Sequence, residues 1–246
     1  MARFFLPQNK IQEGRGTLDG QELQHLKRVL RLVPGDHITV FDDAGLEHEA
    51  IIRSLSLEQG KIELLRSYHV ERESSLEMTL ALGLTKGEKM DFVVEKATEL
   101  GVQTIVPFVS AYTVPKLDQK KIAKRAERWQ KIALSAAKQS GRTRIPEILS
   151  VCDFRELVKQ SFPESVKILF WEKEAERTLN DVRKTEATMR SVVLAIGPEG
   201  GFSEQEANTA LHHGFSLVGL GRRILRAETA AVTAMSLVQF LWGDLG

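Results

Sequence analysis

Two stretches near the end of the chain decide its fold. The first is Ser191-Val192-Val193-Leu194-Ala195-Ile196-Gly197-Pro198-Glu199-Gly200-Gly201-Phe202-Ser203-Glu204-Gln205-Glu206. The second is Ser216 to Leu220, continued by Gly221-Arg222-Arg223-Ile224-Leu225-Arg226-Ala227-Glu228-Thr229-Ala230-Ala231. Each begins with a short apolar run, breaks at glycine and reopens as a helix. The run Ser191–Ile196 is rich in β-branched residues and reads as a buried strand of a parallel sheet. Gly197, Gly200 and Gly201 remove three β-carbons from the turn that follows, so the backbone can take positive φ and approach a ligand closely. Ser203 with Glu206 three residues on predicts a capping box, and the helix it opens should stop at Gly214.

No Gly-Lys-Ser/Thr follows the glycine loop, which excludes a Walker A phosphate loop, and no G-x-G-x-x-G is present. The loop suits a ligand held by backbone hydrogen bonds. The plain alternative is a turn that only redirects the chain. The second stretch bears on that choice. Ala227 to Phe240 is apolar almost all round and predicts a buried helix, with Glu228 in the first turn where the helix dipole favours it. Three arginines ahead of a buried helix are more than packing requires. Two glycine breaks close in sequence bring two open loops together at strand ends, where α/β sheets bind ligands.

The motifs Gly197-Pro198-Glu199-Gly200-Gly201 and Leu220-Gly221-x-Arg223-Ile224-Leu225-Arg226-x-Glu228-Thr229-Ala230 resemble the signature of the SPOUT methyltransferases. More closely, the chain is similar to the bacterial 16S ribosomal RNA uridine N3-methyltransferase family. Lys96-Ala97-Thr98-Glu99-Leu100-Gly101-Val102, Gln139-Ser140-Gly141-Arg142-x-Arg144-Ile145-Pro146 and His25-Leu26-x-x-Val29-Leu30-Arg31 match that family's pattern too, so the resemblance spans nearly the whole sequence. It implies an α/β domain with a mostly parallel sheet and a trefoil knot at residues 73–246. It also implies a small PUA-like β-barrel RNA-binding domain at residues 1–72, S-adenosylmethionine (SAM) as cofactor, and a homodimer through the knotted domain. The implied substrate is 16S rRNA, naked or in the assembled small subunit.

Composition agrees with an ordinary globular protein. A chain of 246 residues fits one large domain or two modest ones. The one cysteine, Cys152, rules out an internal disulfide and reads as a small buried hydrophobe. The six histidines have no metal spacing, so a metal-free site is expected. Met1 to Pro7 does not read as a signal peptide and no run reaches membrane length, which predicts a cytoplasmic protein without membrane contact.

The net charge of +1 is unpromising for an RNA binder, but its distribution is uneven. Between Lys116 and Arg144 stand ten Lys/Arg against two Asp/Glu. Clustered basic charge is the footprint of phosphate contacts. Within this block Ile122, Ala126, Trp129, Ala133 and Ala136 form an apolar stripe at helical spacing, with Lys121, Lys124, Arg125, Arg128 and Lys131 mainly off it. A solvated helix face is the alternative reading.

The first part of the chain reads as short strands near 3–6, 37–41, 47–55 and 61–68, with turns at 34–36, 43–45 and 59–60. One helix interrupts them, capped by Asp19 with Glu22 and presenting Leu23, Leu26 and Leu30 on one face. After the polar link 71–75, strands (78–84, 104–109, 166–171, 191–196, 217–220) alternate with helices (88–100, 120–138, 153–160, 204–213, 227–240), which argues for an α/β fold.

Three loops should wrap the cofactor: 170–172, 197–201 and 220–225. Phe170, Trp171, Ile196, Gly197, Glu199, Gly200, Gly201, Leu220, Gly221, Ile224, Leu225, Arg226 and Thr229 are the expected cofactor contacts. If the acceptor is uridine N3, a proton must leave it, taken by a base or eased by a cation. Arg226 and Glu228 are the candidates. Arg226 can face the uracil oxygens or the cofactor carboxylate. Glu228 can act as base, or cap helix amides and pair with Arg226. Expected RNA contacts are Arg3, Lys27, Arg28, Arg31, Lys89, Arg142, Arg144 and Arg222, with Arg142 and Arg144 guiding a flipped nucleotide. Related knotted enzymes methylate a ribose hydroxyl or another base, and a non-catalytic RNA-binding assembly factor is the reading outside the enzyme class.

Overall fold

A computed structural model describes residues 2–42, 45–113 and 119–246. The expected turn at 43–45 and the start of the basic block at Lys116 fall at least partly outside them. The chain divides into two units: residues 1–73 with 137–145, and residues 74–136 with 146–246. That partition differs from a single cut after residue 72, because 137–145 join the first unit.

The first unit is a six-stranded sheet. Its strands are β1 (Arg3–Phe5), β2 (Ile11–Gln12), β3 (Arg15–Leu18), β4 (His37–Phe41), β5 (Leu46–Leu55) and β6 (Gly60–His69), in the order β1-β4-β5-β6-β3-β2. Only the β1–β4 pair is parallel. Leu18, Ile38, Val40, Ala50, Ile52 and Ile62 point alternately into one apolar core with Phe4, Leu6 and Leu26, as period-2 patterning demands. The β2–β3 hairpin was not legible in the sequence. Its turn places both Glu13 (φ 48°) and Gly14 (φ 73°) in the left-handed region, where Glu is an unusual choice for a turn that favours Asn-Gly.

The expected capping box at Asp19 does not form. Asp19 precedes α1 (Gly20–Gln24) without a side-chain cap, and its carboxylate instead accepts from Lys10 Nζ at 2.7 Å. Leu23 and Leu26 are buried but Leu30 is exposed. The helix widens into a π-turn over His25–Val29, with Leu30 N–H donating to His25 O. One extra residue per turn rotates Leu30 off the Leu23–Leu26 face.

The second unit is built on a seven-stranded parallel sheet. It contains β7 (Glu77–Gly83), β8 (Thr104–Val109), β9 (Glu147–Ile148), β10 (Cys152–Asp153), β11 (Val166–Phe170), β12 (Ser191–Ile196) and β13 (Ser216–Val218). The order is β10-β8-β7-β12-β11-β13, with β9 also on β8. Its helices are α2 (Lys89–Glu99), the 119–136 part of α3 (Gln119–Ser140), α4 (Phe154–Lys159), α5 (Leu179–Thr185), α6 (Glu204–His212) and α7 (Ala227–Trp242). Strand β12 is paired on both sides and buried from Val192 to Ile196, which explains its unbroken apolar run. The short helix α5 was not anticipated. The sheet ends earlier than expected at β13, because Gly219 N–H turns away to the carbonyl of Arg177. Cys152 is half-buried against the core, and burial pushes its thiol up to about 11. No helix among the described residues is long and apolar enough to cross a membrane.

Charged side chains hold 137–145 to the rest of the first unit. Arg142 is buried and grips the Glu73 carboxylate through Nε and NH2, the shorter contact at 2.7 Å. Arg3 donates to Glu47 (2.8 Å), to Ala137 O (2.9 Å) and to Arg142 O (2.7 Å), with its guanidinium 4.0 Å over the Phe41 ring. Burial lowers the Arg3 pKa although Glu47 opposes the shift. Removing one member of such a pair leaves a charge largely buried alone. Arg142→Met should therefore destabilise the first unit by about 3 kcal/mol in urea unfolding. A change under about 0.5 kcal/mol, the scale of an exposed pair, would contradict this.

Candidate functional site

Strands β11, β12 and β13 lie side by side and parallel, with Phe170 opposite both Ile196 and Val218. Their carboxyl ends are therefore level, and the loops leaving them meet. Between those loops is a cavity of about 200 Å³. It is lined by Phe170, Trp171 and Glu172 after β11, by Ile196 to Phe202 after β12, and by Leu220, Gly221, Arg223, Ile224 and Leu225 after β13. Ala227 and Ala230 of α7 complete the wall. Small apolar walls with few polar groups are what a ligand pocket needs.

Each loop is held by its own sequence. Phe202 is fully buried against Phe108 and Phe154, with ring centroids 6.0 and 5.3 Å away. Burying that ring contributes about 2–3 kcal/mol and anchors the end of the glycine loop. Ser203 and Glu206 form the expected capping box at the start of α6, and Glu206 also accepts from Ala111 N–H at 2.8 Å. Gly201 N–H donates to Pro198 O (2.9 Å), which closes the turn. Trp171 Nε1–H donates to Phe202 O at 3.2 Å and ties the first loop to the second.

Two glycines in this region have a physical reason. A β-carbon at Gly83, the end of β7, would stand 2.5 Å from Pro198, so the strand end and the loop pass in near contact. Gly201 has φ +68°, and a β-carbon there would come within 2.6 Å of the Glu172 carboxylate. The space over Gly201 therefore belongs to the cavity and to Glu172.

Eleven of the thirteen expected cofactor contacts line the cavity: Phe170, Trp171, Ile196, Gly197, Glu199, Gly200, Gly201, Leu220, Gly221, Ile224 and Leu225. Arg226 and Thr229 do not. Arg226 is the extended N-cap of α7 and is exposed. Ala227 and Ala230 present the face of α7 that meets the cavity, and Thr229 lies on another face. Phe202, Ala227 and Ala230 were missed. The signal was there in small residues three apart on an apolar helix. Arg223, a signature residue within the expected 220–225 loop, lines the cavity as a charged group.

Beside the cavity three charged side chains meet. Lys89, at the start of α2, has Nζ 3.2 Å from Glu199 Oε1 and 3.6 Å from Glu228 Oε2. Glu199 Oε1 also accepts from Lys86 N–H at 3.0 Å. Desolvation works to raise the Glu199 pKa, but hydrogen bonds from backbone amides and from Lys89 outweigh it and hold the carboxyl below its ordinary value. Arg226, the N-cap residue, gives α7 no side-chain cap, and among the described residues none comes from Glu228. Its Oε2 is buried without a hydrogen-bond partner, and its ion pair is with Lys89 rather than with Arg226.

The expected RNA contacts differ in how far the protein already engages them. Arg3 and Arg142 are committed to the interior ion pairs described above, so burial and geometry assign them to structure. Lys27 Nζ donates to Ser56 O at 2.8 Å. Lys89 belongs to the carboxylate cluster. Arg28, Arg31, Arg144 and Arg222 are exposed. No group of three or more potential metal ligands occurs among the described residues.

Residues 72–239 match the RNA methyltransferase domain family, and residues 18–65 match the RNA methyltransferase PUA domain family. The chain is 32% identical over 248 residues to the ribosomal RNA small subunit methyltransferase E of Bacillus subtilis, covering 98% of this chain and 96% of that one. Among solved structures, a ribosomal RNA small subunit methyltransferase E from Neisseria gonorrhoeae bound to S-adenosyl methionine is 37% identical over the full length of both chains, with a TM-score of 0.88. A putative methyltransferase from Legionella pneumophila in complex with SAM is 34% identical, covers 99% of each chain and has a TM-score of 0.91.

The Glu199 contacts make a pH-dependent contribution to stability. The lowered folded-state pKa means that this contribution is present above the ordinary carboxyl value of 4.5 and is lost as pH falls through the folded value. Glu199→Gln should cost about 1 kcal/mol near neutral pH, and the deficit should close as unfolding is measured below about pH 4.5. A deficit constant with pH would contradict this electrostatic account.

Proposed function

Because the chain belongs to the ribosomal RNA small subunit methyltransferase E family, an RNA methyltransferase domain joined to a PUA domain, we propose that it methylates N3 of a uridine in 16S rRNA with SAM, in the cytoplasm. The observation that carries the reading is the convergence of three strand-end loops on one cavity, lined by the residues that the family signature singles out. The PUA unit then holds the RNA through exposed residues such as Arg28 and Arg31. The second unit, read as a SPOUT domain whose C-terminal segment threads a trefoil knot, carries the chemistry.

The cavity fits SAM by the chemistry of its lining. Ile196, Leu220, Ile224 and Leu225 suit the faces of a purine, and the Gly197–Gly201 backbone, stripped of β-carbons, suits its polar edge. Glu172, Glu199 and Arg223 place two anions and one cation on the wall, matching a zwitterionic ligand with a net positive charge. When bound, SAM supplies an electrophilic methyl group. The protein's part is positioning, worth many orders of magnitude when nucleophile and methyl are held in line. The uracil N3 proton passes to the Glu228 carboxylate, which neither caps α7 nor pairs with Arg226. Arg226, exposed at the mouth of the signature segment, steers the RNA rather than the cofactor.

The homodimer is part of the same reading. Leu237 and Phe240 of α7 and Leu245 beyond it are large apolar side chains left exposed, a surface that a second copy can cover. Light scattering should give twice the monomer mass, and a monomer at micromolar concentration would overturn it.

Incubation with methyl-labelled SAM and small-subunit RNA lacking the modification tests the activity. Label should appear on a uracil base. Label on ribose or on another base would reassign the acceptor, and no label would favour a non-catalytic assembly factor. Gly201→Val should stay folded but weaken SAM binding by at least about tenfold, since strain at φ > 0 and the displaced Glu172 both disturb the loop. Unchanged SAM affinity would place the cofactor elsewhere.

A further inference from the structure

Lys89 stands out among the charged groups because it joins the two carboxylates next to the cavity. An ammonium has three N–H donors and no acceptor. One is directed to Glu199 Oε1 at 3.2 Å, and a second faces Glu228 Oε2 at 3.6 Å. No third partner is found among the described residues, and the side chain is about one third exposed. Glu199 lines the cavity, so Lys89 is one side chain removed from it.

The unsatisfied atoms around this cluster point the same way. Three buried side-chain polar atoms lack a hydrogen bond among the described residues: His48 Nε2, Thr85 Oγ1 and Glu228 Oε2, although His48 Nε2 stands 3.5 Å from Asp42 and Glu228 Oε2 3.6 Å from Lys89. His48 lies in the first unit. Glu228 belongs to the Lys89 cluster through its ion pair, and Thr85 precedes Lys86 in the chain, whose amide binds Glu199. Unmet polar capacity beside a cavity marks a place where a polar ligand edge completes the network.

We propose that Lys89 is a catalytic residue whose remaining N–H binds a uracil carbonyl oxygen beside N3 and stabilises the negative charge that builds there as N3 gives its proton to Glu228. This rests on the uridine N3 reading. In the step the N3–H bond breaks and its proton goes to the Glu228 carboxylate. The electron pair left on the ring spreads onto the flanking oxygens, one of them held by Lys89. N3 then bonds the methyl carbon as the bond from that carbon to the SAM sulfur breaks, and its electrons return to sulfur. Glu199 and the Lys86 amide act as positioning groups, since they fix Lys89 without touching the base. A cation placed where charge develops acts in the transition state more than in the ground state.

Lys89→Met and Lys89→Arg test this in single-turnover methyl transfer with saturating SAM and unmodified small-subunit RNA. Lys89→Met should lower the rate constant about 100-fold, while Lys89→Arg should stay within about tenfold of the parent. SAM and RNA dissociation constants should each change less than about threefold, and the variant should stay folded with a melting temperature lowered by only a few degrees, as expected for loss of the Glu199 and Glu228 ion pairs. RNA carrying 5-fluorouridine adds a readout that a structural role would not move. Fluorine makes N3–H more acidic, so the Lys89→Met defect should shrink by about tenfold on that substrate. A defect confined to RNA affinity would make Lys89 a phosphate contact and overturn the proposal. Loss of SAM binding, or an equal defect on both substrates, would overturn it as well. If the parent protein itself places no label on uridine, the functional reading fails. If the parent is active and Lys89→Met matches it, only the role of Lys89 fails.

Discussion

The structure of the second unit depends on one register. Phe170, Ile196 and Val218 are level across three adjacent parallel strands, so three chain segments leave the sheet at one height. Everything in the cavity follows from that alignment. The glycine loop after β12 is pinned at its end by Phe202 and at its start by the closely passing Gly83. Trp171 Nε1–H then links the loop after β11, the middle strand of the three, to it. A slip of one residue in β11 would reverse which of its side chains face the core, and it would move Trp171 away from Phe202.

Charge is distributed between the two units with different purposes. In the first unit Arg3, Arg142, Glu47 and Glu73 are largely withdrawn from solvent, and their hydrogen bonds carry a covalently distant segment into the fold. In the second, Lys89, Glu199 and Glu228 remain partly open beside the cavity. The same residue types thus serve packing in one place and chemistry in the other. Burial and the count of satisfied donors distinguish them, because a fully used guanidinium has nothing left for a phosphate, whereas an ammonium with a spare donor does.

Much of this was legible in the sequence where local rules act alone. The β12 run, the Ser203–Glu206 box and the apolar α7 each state their structure within a few residues. The glycine loops also announced the cavity lining. What could not be read depends on distant partners. Asp19 looked like a helix cap but is claimed by Lys10. Leu30 followed the helical period until the π-turn rotated it outward. Arg142 read as an RNA contact because Glu73, nearly seventy residues away, is invisible to local pattern. Glu228 read either as a base or as a cap paired with Arg226, its near neighbour, and it meets Lys89 from another helix. Local sequence reports propensity, while partner choice is a tertiary event.

The central claim is that the loops at 170–172, 197–202 and 220–225 close around one nucleoside-sized ligand. Hydrogen–deuterium exchange with and without SAM reads all three at once, because binding must protect the amides it orders. The account predicts slower exchange in all three segments together, with the edges of the first unit's sheet unchanged. Protection confined to one loop, or found only outside these segments, would contradict it.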